Sequence, residues 1–103
     1  DLIIDYKTII YGESQQNYVE LVTFEGSEIK RNVIRTTLKL IADELNKYGI
    51  IRCHRSYVVN THLIKEVTGN AQGLKLKLNH PIPIDFIPVS RTYIPGFKKQ
   101  YLS

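Results

Sequence analysis

The sequence predicts a mainly β domain with one principal helix, at about residues 37–48. Short runs rich in β-branched and aromatic residues recur along the chain, and breaks rich in Gly, Asn, Ser and Pro separate them. Only one segment repeats apolar residues at long helical spacing. The 103 residues suit a single domain spanning 1–103, although pattern alone leaves the topology open.

The first predicted elements are a hairpin and a third strand. Residues 8–11 and 18–24 have strand composition, and the polar break 12–17 between them indicates a projecting loop. A second turn at 25–27 leads to a third predicted strand at 28–33. No catalytic or metal-binding partners accompany the four glutamates in and beside this hairpin, so we expect them to be solvated surface charges. They are Glu13, Glu20, Glu25 and Glu28.

The helix follows these strands. Its apolar stripe consists of Leu38, Ile41, Leu45 and Tyr48. Thr36 or Thr37 is available as N-cap, and Gly49 is placed to end the helix. A small β domain needs a cover for its sheet, so we expect this stripe to pack on the core rather than on a partner protein.

Strands return in the second half of the chain. The predicted strands are 50–53, 56–59, 63–67, 74–78 and 82–84. Strict alternation in 74–78 turns its leucines inward and Lys75 and Lys77 outward. Four prolines in the last quarter restrict strands there to edges or short pieces. Pro95 and Gly96 are expected to break any last helix within about one turn.

Basic residues are concentrated in the second half. Residues 1–49 contain six Lys or Arg against eight Asp or Glu, whereas residues 50–103 contain eight against two. Basic side chains that neutralise phosphates release condensed counterions, so this asymmetry favours a polyanionic partner. A solubilising surface charge explains the charge pattern equally well.

The residue inventory excludes most enzyme classes. Three dispersed histidines and one cysteine do not fit a structural zinc spacing, and no nucleophile elbow, phosphate loop or dinucleotide fingerprint occurs. Cys53 and His54 are neighbours on a predicted strand and therefore face opposite sides, with Cys53 expected in the core. We expect no catalytic activity, no metal and no cofactor.

The same inventory bears on localisation. No apolar run is long enough to span a membrane, the first residues given lack the basic-then-apolar pattern of a signal peptide, and the single cysteine cannot form an internal disulfide. We therefore expect a cytoplasmic protein. The chain begins at Asp1 and enters an apolar run at once, so we expect it to be part of a longer protein.

One motif carries a family resemblance. Residues 52–60 read R-C-H-R-S-Y-V-V-N, with Ile64 following, and this segment resembles the R-x-H-R-S-Y-x-V-N signature of the LytTR family of bacterial DNA-binding domains. Segments similar to the family's first hairpin, helix and closing P-V-S-R element occur at 9–19, 38–45 and 88–91. The resemblance covers about residues 8–99.

The resemblance implies both a fold and a function. The implied fold is an elongated arrangement of small antiparallel β-sheets with a helix packed between them. The implied function is sequence-specific binding of double-stranded DNA through loops in the major groove, as the output domain of a bacterial, two-component transcription regulator. Implied partners are tandem promoter half-sites and an upstream receiver or sensor domain, with the isolated domain monomeric.

The family's DNA contacts map onto Arg55 and Arg91, with the Asn17–Tyr18 loop as a third candidate. An arginine fork matches guanine O6 and N7, or two phosphate oxygens. Asn17 either reads adenine or supplies turn geometry. These residues are the predicted base or phosphate contacts.

Other residues of the motif and the chain end have supporting roles in this prediction. Lys98 and Lys99 are candidate phosphate anchors on a mobile chain end, or plain surface lysines. His54, Ser56 and Asn60 are expected to hold their loops by hydrogen bonds to the backbone.

Two features depart from the family pattern. Gly12 stands where the family usually has an apolar residue, and the segment 82–87 replaces a simpler turn before P-V-S-R.

A β-rich protein interaction module that adds a peptide strand remains the alternative function, with Tyr18, Tyr93 and Tyr101 as anchors. Its binding would depend weakly on salt.

Overall fold

Two antiparallel sheets, two α-helices and four short 3-10 segments occur in the part of the chain that the structure describes, residues 4–102 of this computed structural model. The strands are β1 (Ile9–Gln15), β2 (Tyr18–Glu25), β3 (Glu28–Ile34), β4 (Ile50–His54), β5 (Tyr57–Asn60), β6 (Ile64–Asn70), β7 (Gly73–Leu78) and β8 (Ile87–Ser90). The helices are α1 (Leu38–Leu45) and α2 (Ile94–Tyr101). The predicted mainly β class is confirmed.

The five-stranded sheet has the order β3-β2-β1-β5-β4, and the three-stranded sheet has the order β6-β7-β8. Strands β1 and β5 are antiparallel neighbours, with Glu13 opposite Tyr57. The β1–β2 turn and the β4–β5 turn therefore lie at the same end of the larger sheet. This end carries two of the loops that the sequence singled out.

Both faces of the five-stranded sheet are buried. Val22 and Val59 face the three-stranded sheet and α2, whereas Leu21 and Val58 face α1. Apolar side chains on both faces of this sheet are therefore removed from water, and both faces contribute to the hydrophobic stabilisation. The described residues span 40 × 27 × 24 Å, which makes the domain moderately elongated.

Helix α1 does not lie between the sheets, so that expectation is wrong for the principal helix. Its side chains Leu38, Ile41 and Leu45 pack on the face of the larger sheet that points away from the smaller sheet. Thr37 is its N-cap and accepts a hydrogen bond from the Leu40 N–H at 3.2 Å. The helix with side chains in the core between the sheets is α2, through Ile94 and Phe97.

The expectation of a single long helix is also wrong, because α2 is as long as α1. Pro95 lies in the first turn of α2, where a helix has no use for its missing N–H and where its fixed φ is already helical. Burial of Phe97 and its ring stack on Tyr101, at 5.2 Å, stabilise the following turn. Lys98 and Lys99 therefore lie on a helix, not on a mobile chain end.

Two loop predictions also need correction. The segment 82–84 forms no strand, since Pro81 and Pro83 lack the N–H that a ladder requires. The last strand is β8, which accommodates Pro88 because β8 is an edge strand. The break 12–17 is not a projecting loop, because β1 continues to Gln15 and only two residues turn.

Gly12 is explained by close packing inside the larger sheet. A Cβ atom at this position would lie 2.9 Å from the Leu21 Cδ2 and 2.9 Å from the Val58 Cγ2, closer than real Cβ contacts. An apolar side chain here would have to displace both neighbours. The departure from the family pattern therefore fits this chain's own core.

No helix within residues 4–102 is long and apolar enough to cross a membrane. Over the same residues, no cluster of three or more His, Cys, Asp or Glu side chains could hold a metal ion.

Candidate nucleic-acid interface

The end of β1, the β4–β5 turn and the start of α1 meet at one end of the larger sheet. The Ser14 N–H donates a hydrogen bond to the Ser56 carbonyl at 3.0 Å, which joins the first hairpin to the β4–β5 turn. Tyr18 and Arg55 line one shallow pocket there. Two further basic side chains, Lys39 and Arg52, line the same pocket. The structure thus brings two of the predicted contact sites together.

The β4–β5 turn consists of Arg55 and Ser56, because His54 pairs with Tyr57. Among non-glycine residues 4–102, only Gln16 has a positive φ, so this turn lacks the left-handed residues of the favoured two-residue hairpins. The register also shifts in β4 between Arg52 and His54. Such a turn needs support from side chains to hold one geometry.

Three hydrogen bonds supply that support. The Ser56 N–H donates to the His54 Nδ1 at 3.0 Å. The Arg52 Nε donates to the His54 carbonyl at 3.1 Å, and the Arg52 Nη2 donates to the Arg55 carbonyl at 2.6 Å. Arg55 itself is exposed. Its guanidinium therefore extends into solvent from a backbone that is held in place.

The charge state of His54 follows from these contacts. Its Nδ1 accepts a hydrogen bond, so the neutral ring carries its proton on Nε2. Burial lowers the pKa of His54, and the positive charges of Arg55 and Arg52 lower it further. All three effects favour the neutral ring that the turn requires.

Cys53 lies on the opposite side of β4, in the core, as the sequence analysis expected. Burial raises the pKa of its thiol to about 12, so the sulfur is neutral at ordinary pH. Its Sγ lies 3.8 Å from the Tyr57 carbonyl. Cys53 contributes packing under the turn rather than a reactive thiolate.

In the β1–β2 turn, Gln16 and not Asn17 has the left-handed backbone conformation. Gln16 has a φ of 57°, a conformation that costs a non-glycine residue about 1–3 kcal/mol and that recurs at functional sites. Asn17 is exposed, and Tyr18 is 44% exposed at the start of β2. Asn17 is thus not needed for a left-handed conformation, which leaves its side chain available to a ligand.

Arg91 is the first residue of a 3-10 turn, Arg91–Tyr93, that follows β8. Its Nη1 donates to the Gln72 Oε1 at 3.4 Å, and Gln72 belongs to the turn between β6 and β7. Gly73 pairs with Ser90, so this turn and Arg91 share one end of the smaller sheet. Sequence reasoning gave Gln72 no role, since a turn glutamine carries no pattern signal.

Arg55 and Ser56 are here called the Arg55 turn, and Arg91–Tyr93 the Arg91 turn. Arg52 lies between these two turns. The Arg52 Cζ lies 6.0 Å from the centroid of the Tyr93 ring, which belongs to the same 3-10 turn as Arg91. Lys98 and Lys99 are exposed farther along, on α2.

Asn60 lies at the other end of β5 from the Arg55 turn. Its Nδ2 donates to the Ile9 carbonyl at 2.8 Å, and its Oδ1 accepts from the His62 N–H at 3.0 Å. Asn60 therefore connects the start of β1 to the segment after β5, at a distance from the two basic turns.

The glutamates of the first hairpin do not form a metal site. Glu20 is buried, only 6% exposed, and pairs with the Arg31 Nη2 at 3.0 Å, so the expectation of a solvated Glu20 is wrong. Pairing with a charged partner is what makes its burial tolerable.

The chain matches known proteins over nearly its whole length. The family model described as LytTr DNA-binding domain matches residues 2–102. The sensory transduction protein LytT of Bacillus subtilis (strain 168) is 37% identical over 101 residues, which is 95% of this chain and 38% of that protein. The chain thus spans less than two fifths of the length of this curated relative.

A solved structure shares the fold. It is the LytTr DNA-binding domain of a methyl-accepting/DNA response regulator from Bacillus cereus, with a TM-score of 0.77 and 23% sequence identity. The match covers 96% of this chain and 85% of that one.

Proposed function

Because this chain belongs to the LytTR family of DNA-binding domains, we propose that it reads double-stranded DNA through the Arg55 turn and the Arg91 turn. The observation that carries this proposal is the exposed Arg55 on a turn held by three hydrogen bonds. A guanidinium on fixed backbone keeps the bidentate geometry that guanine O6 and N7 require. Arg91 follows β8 directly, as the first residue of a 3-10 turn, so its side chain also starts from regular backbone.

The remaining contacts are proposed to position the domain. Asn17 and Tyr18 extend the Arg55 site along the first hairpin and reach a base edge or the neighbouring backbone. Lys98 and Lys99 are point charges on flexible stems, which suit phosphate oxygens. Loops that enter successive major grooves leave the intervening groove to be recognised by its shape and deformability.

The longer protein is proposed to be a cytoplasmic bacterial transcription regulator, with this domain as its DNA-binding output. The name of the LytT relative supports a role in signal transduction. An upstream receiver or sensor domain that brings two copies together would raise the effective concentration of the second domain at tandem half-sites. The isolated domain would then be monomeric and bind a single half-site weakly.

Selection of bound duplexes from a random DNA pool tests the proposed sequence preference. We expect one base pattern to be enriched over successive rounds, with fixed positions in two adjacent major grooves. The enriched duplex, here called the selected site, then serves for titrations beside a scrambled duplex of the same composition. Retention of the pool without enrichment of any pattern would contradict sequence-specific reading.

A further inference from the structure

We propose that Arg52 is a positioning residue that fixes the direction of Arg55 and couples the Arg55 turn to the Arg91 turn. This inference rests on the proposed function, and it assigns a role to the first arginine of the R-x-H-R-S motif, which bonds back onto its own turn. Arg52 is half-buried, and two of its guanidinium nitrogens are engaged with the backbone of the turn.

The two carbonyls that Arg52 contacts flank a single Cα atom. The His54 carbonyl belongs to the peptide plane before Arg55, and the Arg55 carbonyl belongs to the plane after it. Since each peptide unit is planar, restraining the carbonyl oxygens of both planes restricts φ and ψ of Arg55. The direction of its Cα–Cβ bond, and hence the origin of the reading side chain, is then set by Arg52.

The strength of this brace suits that task. A hydrogen bond from a charged donor is shorter and stronger than a neutral one, and the bond to the Arg55 carbonyl measures 2.6 Å. The turn lacks the left-handed residues that usually hold a two-residue hairpin. Without Arg52, the His54 and Arg55 carbonyls would lose these partners and the turn would be free to sample other geometries.

The same guanidinium also contacts the second turn. It lies 6.0 Å from the Tyr93 ring, at the outer range of a cation–π contact, and Tyr93 follows Arg91 by two residues. A planar fork can bond two carbonyls and face a ring at once, whereas a lysine ammonium is a point charge that lacks the spaced, coplanar donors of the fork. Arg52 therefore contacts both turns and helps to set the distance between Arg55 and Arg91.

Arg52 also lines the pocket beside Arg55 and Lys39, so direct contact with a DNA phosphate is the competing role. The two roles differ in what they predict. A phosphate contact acts equally on every duplex and contributes to the salt dependence of binding. A positioning residue acts mainly through Arg55, so its effect appears on the selected site alone and becomes smaller when Arg55 is absent.

The test uses Arg52→Lys, Arg55→Ala and the double variant in the full chain, titrated on the selected site and on the scrambled duplex at several salt concentrations. Arg52→Lys keeps the charge and removes the fork. We expect about tenfold weaker binding to the selected site, little change on the scrambled duplex and an unchanged salt slope. The double variant should lose less affinity for the selected site than the sum of the two single losses, because coupled residues are not additive. Lys77→Arg, an exposed exchange on β7, is the matched control.

Equal losses of Arg52→Lys on both duplexes, or additive losses in the double variant, would overturn the positioning role in favour of a phosphate contact. Binding by Arg52→Lys at the level of the unaltered protein would overturn it as well. If Arg52→Lys does not fold, judged by circular dichroism, Tyr93→Leu removes the ring contact instead and is expected to weaken selected-site binding alone.

A measurement without DNA separates this proposal from the proposed function. In the free protein, Arg52→Lys should shift the amide NMR resonances of Arg55, Ser56 and Tyr93 and leave those of β7 unchanged. Unchanged turn resonances would overturn the brace itself. Shifted resonances, together with equal losses of Arg55→Ala on both duplexes, would support the brace and contradict base reading by Arg55.

Discussion

Ser14 and Ser56 are joined by a backbone hydrogen bond of 3.0 Å, from the Ser14 N–H to the Ser56 carbonyl. The bond lies between the end of β1 and the β4–β5 turn, and it continues the pairing of β1 with β5 beyond Glu13 and Tyr57. The Asn17–Tyr18 segment and Arg55 are therefore parts of one rigid end of the sheet. Arg91 belongs to the other sheet.

This arrangement predicts which variants will interact. Tyr18→Ala and Arg55→Ala alter one pocket, so their losses of DNA affinity should be non-additive by about 0.5 kcal/mol or more. Tyr18→Ala and Lys99→Ala alter different elements and should be additive. Double-variant titrations on the selected site measure both pairs. Strict additivity of the first pair would show that Tyr18 and Arg55 act independently.

The basic second half predicts a steep salt dependence. If the domain neutralises about five phosphates, the slope of log affinity against log salt should be roughly −4 to −5. Fluorescence anisotropy titrations from low to moderate salt provide the slope. A flat response would favour the alternative of a protein interaction module, whose binding depends weakly on salt.

His54 predicts a pH dependence of the turn. Burial and two neighbouring arginines lower the pKa of His54 in the folded protein below its ordinary value of 6.5. The unfolded chain therefore takes up the proton first as pH falls, so stability from this group is fully present above about pH 6.5 and declines below it. NMR titration of the ring should show a midpoint below 6.5. In Arg55→Ala the midpoint should rise, since one positive charge is removed; a midpoint at or above 6.5 in the unaltered protein would contradict the account.

Cys53 predicts slow thiol chemistry. Its thiol is buried and its pKa is raised to about 12, so maleimide labelling of the folded protein near pH 8 should be far slower than labelling of the unfolded chain. Cys53→Ser places a hydroxyl in the core and should lower the free energy of unfolding by about 1–3 kcal/mol. Cys53→Ala, which leaves only a small cavity, is the matched control. DNA affinity of the folded fraction should be preserved, and rapid labelling that DNA suppresses would instead place Cys53 at the interface.

Much of this fold follows from local pattern. The alternation of Leu74, Leu76 and Leu78 located β7, and the apolar stripe with Thr37 before it located α1. The motif at 52–60 led to the family. These features depend on neighbours in sequence, which is why reading along the chain was sufficient to find them.

Other features depend on contacts between distant segments. Pro95 was expected to end a helix. Burial of Phe97 between the sheets instead stabilises a helix that begins at Ile94, and Pro95 then lies in its first turn, where proline is tolerated. Glu20 was expected in solvent because its partner, Arg31, lies on another strand. The alternation of a strand gives no sign that Arg52 turns back onto two carbonyls of its own turn.

The most direct test of the account compares Arg55→Ala and Arg91→Ala with Lys98→Ala and Lys99→Ala on the selected site and on scrambled DNA. Each arginine change should cost about 1–3 kcal/mol on the selected site and much less on the scrambled duplex, because base contacts exist only in the former. Each lysine change should weaken both duplexes alike. Equal losses of both arginine variants on the two duplexes would contradict base reading by these turns, and would move that role to the Asn17–Tyr18 segment or to DNA shape.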